Sequence, residues 1–549
     1  MAPTRIDDIL DVAIVGGGVS GLYSGWRLLT SAGQTGKRLN TAIFEGSPRL
    51  GGRLLSVVPP GIPNARVELG GMRYTSAHTR VAGLVAHLGL KADDFPVGQP
   101  ENIAYVRGTM LRRKELTDPS LIPYRFTLEE YDPATLSDGF TAVAARRALR
   151  IMLGKDVPLN EVDWQKLASD GRYNGTALAN LPMQYVIQRS ISEEAFRFAE
   201  DTGGYDSILH TWNAADGLPW NLADFGEPVS FHHLHDGFET LPLALADFYR
   251  KSGGAVRVNS RLKSFDQVTL ADGTQGVEMH IVAGGATQRI LARRLILAMP
   301  RRSLELLDQT GAVLGPGNDR VHALIRSVTP IPLFKLALCY SYPWWETLPA
   351  VNVPSVDGKS QMVRITKGQS ITDLPVRQCY YWAVDETSKN AVMLIYDDGS
   401  DLDYWAGLRS RDRNEPYVAA DAAAPIPHTP LPSWDEHTAP KLMVDEAHRQ
   451  LLVMHGLSGR ADIPAPYAAA YRDWGEDPFG GGANFWHLHV DSAKIFTEIL
   501  QPKPPVPVYI CGEAYSHDQG WVEGPLATAD AMLERHFELK SPAWLQGNH

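Results

Sequence analysis

The chain has 549 residues, more than one hydrophobic core holds, so about two to three domains are expected. A hydrophobic fraction of 44% with 21% charged residues is that of a soluble globular protein. The formal net charge of -11 argues against nucleic acid as a partner, because a phosphate-binding surface needs concentrated Lys and Arg; it leaves a local positive site for a small molecule open. Val12 to Val15 form a short apolar run that suits a buried parallel strand. Gly16, Gly18 and Gly21 follow in the pattern G-x-G-x-x-G, and Leu22 to Leu29 reads as a helix. Thr41 to Phe44 is a second strand, ending on the acidic Glu45. Gly16 permits the tight turn, Gly18 the approach of backbone N–H groups to a pyrophosphate, and Gly21 close helix–strand packing. Glu45 is placed to accept from ribose hydroxyls, so a dinucleotide is expected here.

Gly51-Gly52-Arg53 then suits a loop closing over phosphates, with Arg53 as the charged partner. A second glycine pair, Gly70-Gly71, delivers Met72 and Arg73. From Phe126 to Leu222 the chain turns helical, with helices expected over Thr141–Leu153, Asn180–Ser190 and Glu193–Ala199. The adjacent acids Glu129-Glu130 and Glu193-Glu194 read as solvated faces, and the segment as the wall of an entrance or an interface. A helix over Leu241–Arg250, a strand over Ala255–Asn259 and the apolar strand Leu295–Met299, stopped by Pro300, return to α/β alternation.

Pro330 to Tyr396 is rich in β-formers and aromatics, with strands expected over Phe334–Tyr340, Gln378–Trp382 and Val392–Tyr396, a sheet that faces a ligand. Asp397 to Pro440 is polar and proline-spotted, and reads as a helix over Ala419–Ala424 framed by surface loops. A last strand, Val506–Cys511, leads through Gly512-Glu513 and Gly520-Trp521-Val522-Glu523-Gly524 to a helix over Leu526–Glu538. Cys339, Cys379 and Cys511 are too few and too scattered for a disulfide framework or a C-x-x-C metal pattern, and two of them sit in apolar strands as core residues. His232, His233 and His235, with His487 and His489, lack zinc spacing, so no metal is expected. The N-terminal residues have no apolar signal core and no apolar run spans a bilayer, so a cytoplasmic protein without a membrane partner is expected.

Gly16-x-Gly-x-x-Gly21, Glu45, Gly51-Gly-Arg53, Tyr509-Ile-Cys-Gly-Glu513 and Gly520-Trp-Val-Glu-Gly524 together resemble the signature of the flavin-containing amine oxidases. Within that superfamily, Gly71-Met-Arg73, Lys335 in Leu333-Phe-Lys-Leu, and Ser370-Ile-Thr-Asp-Leu-Pro-Val-Arg377 followed by Tyr380-Tyr381 and Val392-Met-Leu-Ile-Tyr396 resemble the L-amino acid oxidases. The resemblance implies an α/β (overall α+β) architecture: a Rossmann-like FAD-binding domain, a mixed-sheet substrate domain and a helical insertion. The parts fall at 1–62, 231–329 and 496–549 for FAD, 63–125 and 330–495 for substrate, and 126–230 for the helices.

It further implies FAD held by Gly16, Gly18, Gly21, Glu45, Gly52, Arg53, Gly71, Met72, Arg73, Val258, Glu513 and Val522. Val258 would contact the adenine through its backbone, and Glu513 would accept from the ribitol or approach the phosphates. Because Trp474 to Ala483 has no cysteine where the monoamine oxidases attach flavin, non-covalent binding is expected. The implied activity converts L-α-amino acids and O₂ to 2-oxo acids, ammonia and hydrogen peroxide. Arg73 and Tyr396 would bind the substrate carboxylate, Gly520 and Trp521 would frame the amine, and Lys335 would hold a water near the reacting centre. Arg73 also reads, from spacing alone, as a surface or phosphate-facing arginine, Lys335 as an exposed edge-strand lysine, and Trp521 as core. An amino acid 2-monooxygenase of tryptophan type, giving amide and CO₂, and a non-catalytic flavoprotein remain alternatives. Homodimerisation is compatible with all three.

Overall fold

The computed structural model describes residues 9–31, 39–131, 136, 140–158, 161–225, 229–354, 359–409 and 432–545. The helix expected over Ala419–Ala424 lies outside the described residues. The opening strand, Leu10–Val15, is buried along nearly its whole length, which is why it reads as an uninterrupted apolar run. It lies inside a seven-stranded sheet, six of whose strands follow the order Ala255–Arg257, Thr41–Phe44, Leu10–Val15, Ala286–Leu297, Gln275–Ala283, Ser260–Thr269, the seventh being Val508–Ile510. The long strand Ala286–Leu297 has two roles. Its first half pairs antiparallel with Gln275–Ala283, while its second half runs parallel to Leu10–Val15 on one side and to Val508–Ile510 on the other. The start and end of the chain therefore meet on one strand.

The helix Val19–Thr30 packs on this sheet beside Thr240–Lys251 and Glu523–Phe537. A Cβ at Gly25 would stand 3.0 Å from both Ile43 and Tyr249, so the glycine sets the depth of the packing. Arg27 Nη1 reaches Asp530 Oδ1 at 2.7 Å inside the interface, tying the first helix to the last.

A second seven-stranded sheet runs Ala468–Asp473, Leu333–Tyr340, Ala391–Asp398, Gln378–Val384, Gln369–Thr372, Ile103–Val106, Thr109–Arg112. Leu333–Tyr340 is an inner strand of this sheet, so Lys335 is 4% exposed and not an edge lysine. Asp397 and Asp398 continue the strand Ala391–Asp398 and are buried, where polar surface loop was expected. Their carboxylates are taken up by Trp405 Nε1 and by the backbone of Asp206 and Ser207.

Between the sheets' contributions lie the helices Phe140–Leu153, Trp164–Asp170, Met183–Gln188, Glu193–Gly203, Ser207–His210 and Ala214–Phe225. Met183–Gln188 is shorter than expected because Pro182 stands at its N-cap, after the separate turn Leu178–Asn180. Glu130 is buried and accepts from Ser192 N and Oγ, joining two parts of the helical segment where a solvated acid was expected. The three cysteines are buried and unpaired. Among the described residues no helix is long and apolar enough to cross a membrane.

Candidate active site

A cavity of about 870 Å³ has residues of both sheets and of the helical segment in its wall. At one end lies the glycine turn. Gly16 has φ +114°, and a Cβ there would stand 2.3 Å from Ala298 O; a Cβ on Gly21 would stand 2.0 Å from Gly16 O. These two glycines are required by packing. Gly18 differs, with nothing nearer to its would-be Cβ than Gly52 Cα at 3.8 Å, so the space above it is open to a ligand. The helix Val19–Thr30 starts there with no side-chain cap and no acid in its first turn, which leaves amide N–H groups and the positive end of the dipole for an anion.

Glu45 accepts from Gly17 N at 2.7 Å and Ser47 N at 2.8 Å, so its carboxylate shapes the turn as well as lining the cavity. Arg49, which the sequence reading passed over, braces the Gly51-Gly52 loop by donating to Leu50 O, Gly52 O and Leu54 O. Arg53 donates to Glu513 Oε2 at 2.8 Å and to Gly482 O at 3.0 Å. Glu513 in turn accepts from Asn484 N at 2.9 Å, Asn484 Nδ2 at 2.9 Å and Gly520 N at 2.8 Å. With the Arg53 bond included, the carboxylate has four protein donors and joins the Arg53 loop to the Gly520 turn.

The other end carries the charge. Arg73 is 7% exposed, yet among the described residues no carboxylate reaches its guanidinium. It donates to Tyr380 Oη at 3.3 Å and Tyr205 Oη at 3.0 Å, and lies over the rings of Phe231 and Phe95 at 4.8 and 5.3 Å. Leaving a guanidinium buried against neutral hydroxyls and rings costs several kcal/mol, which an incoming anion recovers. Lys335 and Tyr396 are directly opposed on neighbouring strands, and Nζ sits 5.0 Å from the Tyr396 ring centre. Lys335 Nζ donates to Gly70 O. Burial holds the Lys335 pKa well below the usual lysine range; Glu68 works against that shift and Arg73 with it. Gly520, at φ +82°, and Trp521 also line the cavity, with the Trp521 ring against His78 at 4.7 Å. His78 Nδ1 accepts from Thr75 N, and burial pushes its pKa down to about 4, so the ring behind Trp521 is neutral.

The cavity wall thus brings together Gly16, Gly18, Glu45, Gly52, Arg53, Gly71, Met72, Arg73, Lys335, Tyr396, Glu513, Gly520, Trp521 and Val522. Gly21 lies beneath the turn. Val258, 36% exposed, is not in the wall; Arg261 and Leu262, at the start of the following strand, are. Tyr205 goes unread in the sequence, although Gly203-Gly204 lies directly before it, and Tyr380 reads there as part of the strand Gln378–Trp382 and as core, not as a partner of Arg73. His235 pairs with Asp93 at 2.7 Å and His232 with Asp94 at 3.4 Å, on neighbouring strands at the surface.

The parallel strands around Leu10–Val15, the open glycine turn and the uncapped helix are those of a dinucleotide-binding fold, and a buried cation lines its cavity. The chain belongs to the flavin-containing amine oxidoreductase family, whose model matches residues 19–530. Aplysianin-A of Aplysia kurodai is 26% identical over 558 residues, covering 97% of this chain and 91% of that protein. L-amino acid oxidase Bs29 of Bothriechis schlegelii is 25% identical over 411 residues, covering 73% of this chain and 71% of that protein. Putrescine oxidase solved bound to putrescine shares the fold, with a TM-score of 0.61 at 17% identity over 97% of this chain and 100% of that one. The family is flavin-containing, and the open space above Gly18, in front of the uncapped helix start, fits a phosphate of such a cofactor.

Proposed function

We propose that this chain is an FAD-dependent L-amino acid oxidase, giving 2-oxo acid, ammonia and hydrogen peroxide. The observation that carries the reading is Arg73, a buried guanidinium in the wall of a nucleotide-sized cavity, with no acidic partner among the described residues. A simple amine gives such a cation nothing to bind, whereas an α-carboxylate fits its fork. The similarity to a protein named L-amino acid oxidase supports the same substrate class.

FAD would be held by the Gly16–Gly21 turn, Glu45, the Gly51–Arg53 loop and the Gly512–Val522 segment. When bound it supplies the acceptor for the hydride from Cα and the route of two electrons to O₂. The protein's own contribution is placement. Arg73 and Tyr396 fix the carboxylate, and the backbone at Gly520 with the Trp521 ring frames the amine. Lys335 uses one of its three donors on Gly70 O, which leaves two for a water in the cavity. No cysteine lines the cavity among the described residues, in keeping with non-covalent FAD. Release of all flavin on acid precipitation would agree; colour left in the pellet would not.

The test is a peroxide-coupled screen of both enantiomers of the amino acids, with product analysis. Peroxide, ammonia and 2-oxo acid from L-enantiomers are expected. Abundant amide and CO₂ without peroxide would make the chain a 2-monooxygenase, and a flavin that no L-amino acid reduces under anaerobic conditions would end the reading.

A further inference from the structure

One of the two hydroxyls on Arg73 comes from neither sheet. Tyr205 belongs to the helical segment, between Glu193–Gly203 and Ser207–His210, and the second sheet grips the backbone on both sides of it. Gln378 Nε2 donates to Gly204 O, and Arg377 Nε lies 3.0 Å from Asp206 Oδ1. The Asp398 carboxylate accepts from Asp206 N at 2.9 Å, from Ser207 N at 3.1 Å and from Ser207 Oγ. Gly204 closes its helix at φ +76°, where a Cβ would come within 2.9 Å of Gln378 Cγ. Three sheet residues therefore fix a tight loop whose central side chain enters the cavity. There the Tyr205 ring meets Tyr396 edge-on at 5.5 Å, and its oxygen lies 3.0 Å from Arg73 Nη2.

Tyr380 touches the same guanidinium but is placed differently. Its hydroxyl donates to Gln378 Oε1 at 2.9 Å and accepts from Gln369 Nε2 at 3.1 Å, and it is not in the cavity wall. Tyr205 is in the wall, where its hydroxyl also bonds the neutral side chains of Tyr380 and Gln378, partners that an incoming carboxylate outcompetes for its proton. A phenol can accept from a guanidinium and donate to a carboxylate at the same time, and an anion seated on the Arg73 fork lies within reach of both donors.

We propose that Tyr205 is a substrate-binding residue whose hydroxyl anchors the substrate carboxylate beside Arg73 and Tyr396. The helical segment then takes a direct part in recognition, through a loop set by Gln378, Arg377 and Asp398. The inference rests on the amino acid reading of the cavity. The experiment titrates the oxidised holoenzyme with benzoate, an inert carboxylate, and with benzamide, its uncharged counterpart, following flavin absorbance. Tyr205→Phe keeps the ring against Tyr396 and removes only the hydroxyl. It is expected to weaken benzoate about tenfold or more, the range for a hydrogen bond to a charged group, and to leave benzamide alone. KM for L-amino acids should rise in parallel, with kcat, flavin content and Tm near wild type. Unchanged benzoate affinity, an equal loss for both ligands, or a variant without flavin would each overturn the proposal. A wild type that binds benzoate but is reduced by no L-amino acid overturns the oxidase reading instead, and the titration still decides Tyr205.

Discussion

Arg73 gains its meaning from what surrounds it. Two phenol hydroxyls and two aromatic rings contact the guanidinium, and none of them neutralises it. Arg73→Ala is expected to lower kcat/KM for L-amino acids by about 10²- to 10⁴-fold, the worth of two charge-assisted hydrogen bonds, chiefly through KM. Flavin content, read from absorbance, should not change; its loss would move Arg73 to the cofactor. Lys335 is set by register, since the strand pairing puts it opposite Tyr396 and burial places it over that ring. Lys335→Met keeps the stem and removes the donors. It should cut kcat about 100-fold or more while shifting KM far less, as removal of a proton-handling group does, and steady-state kinetics over a substrate range would show it. Both residues were visible in the sequence as candidates. Their burial was not, because it is produced by strands and rings far away in the chain.

At the scale of elements, the helix Lys441–Met454 ends on a buried imidazole that joins it to the second sheet. His455 Nδ1 lies 2.7 Å from Leu451 O and Nε2 lies 2.8 Å from Tyr381 Oη, so a neutral ring donates to the carbonyl and accepts from the phenol. Burial pushes the His455 pKa from 6.5 down to about 4. The sign follows directly. The folded state binds this proton more weakly than the unfolded chain, so the contribution is full above pH 6.5 and is lost as pH falls towards 4. His455→Gln should therefore lower Tm at pH 7 and make the fall in Tm between pH 6.5 and 4 shallower than in wild type. Thermal unfolding across that range checks it, and parallel curves would exclude the histidine as a contributor. This helix is not among those expected from the sequence, and its capping network is not legible there, because its partners are Tyr381 and Ser370 on distant strands.

At the scale of the molecule, the first and last helices are one unit. Asp530 accepts from Arg27 at 2.7 Å and Tyr23 at 2.8 Å, and both members of the ion pair have side chains 5% exposed. Asp530→Ala leaves an enclosed guanidinium unpaired and is expected to cost about 3–5 kcal/mol in urea unfolding, with Arg27→Met/Asp530→Leu recovering most of the loss. Since Glu523–Phe537 begins next to Trp521 and Val522, the single variant should also hold flavin less tightly, as read by flavin retention on gel filtration. A single variant as stable as wild type would show that the pair carries no net stability.

The sequence by itself determined the nucleotide turn, the acidic strand end and the family, because glycines demanded by close backbone approach must recur at fixed local spacing. It also determined inner strands of both sheets and helices such as Phe140–Leu153, Thr240–Lys251 and Glu523–Phe537, whose apolar periodicity is a local property, but not elements such as Ala468–Asp473 or Lys441–Met454. Only the tertiary structure decided that Arg73 is a buried cation with no carboxylate on it among the described residues. It likewise decided that Arg53 and Glu513 answer each other, and that Tyr205 reaches across from the helical segment. Those facts depend on which side chains meet after about 130 to 460 residues of intervening chain, and on how far water is excluded there. Local pattern carries no record of either.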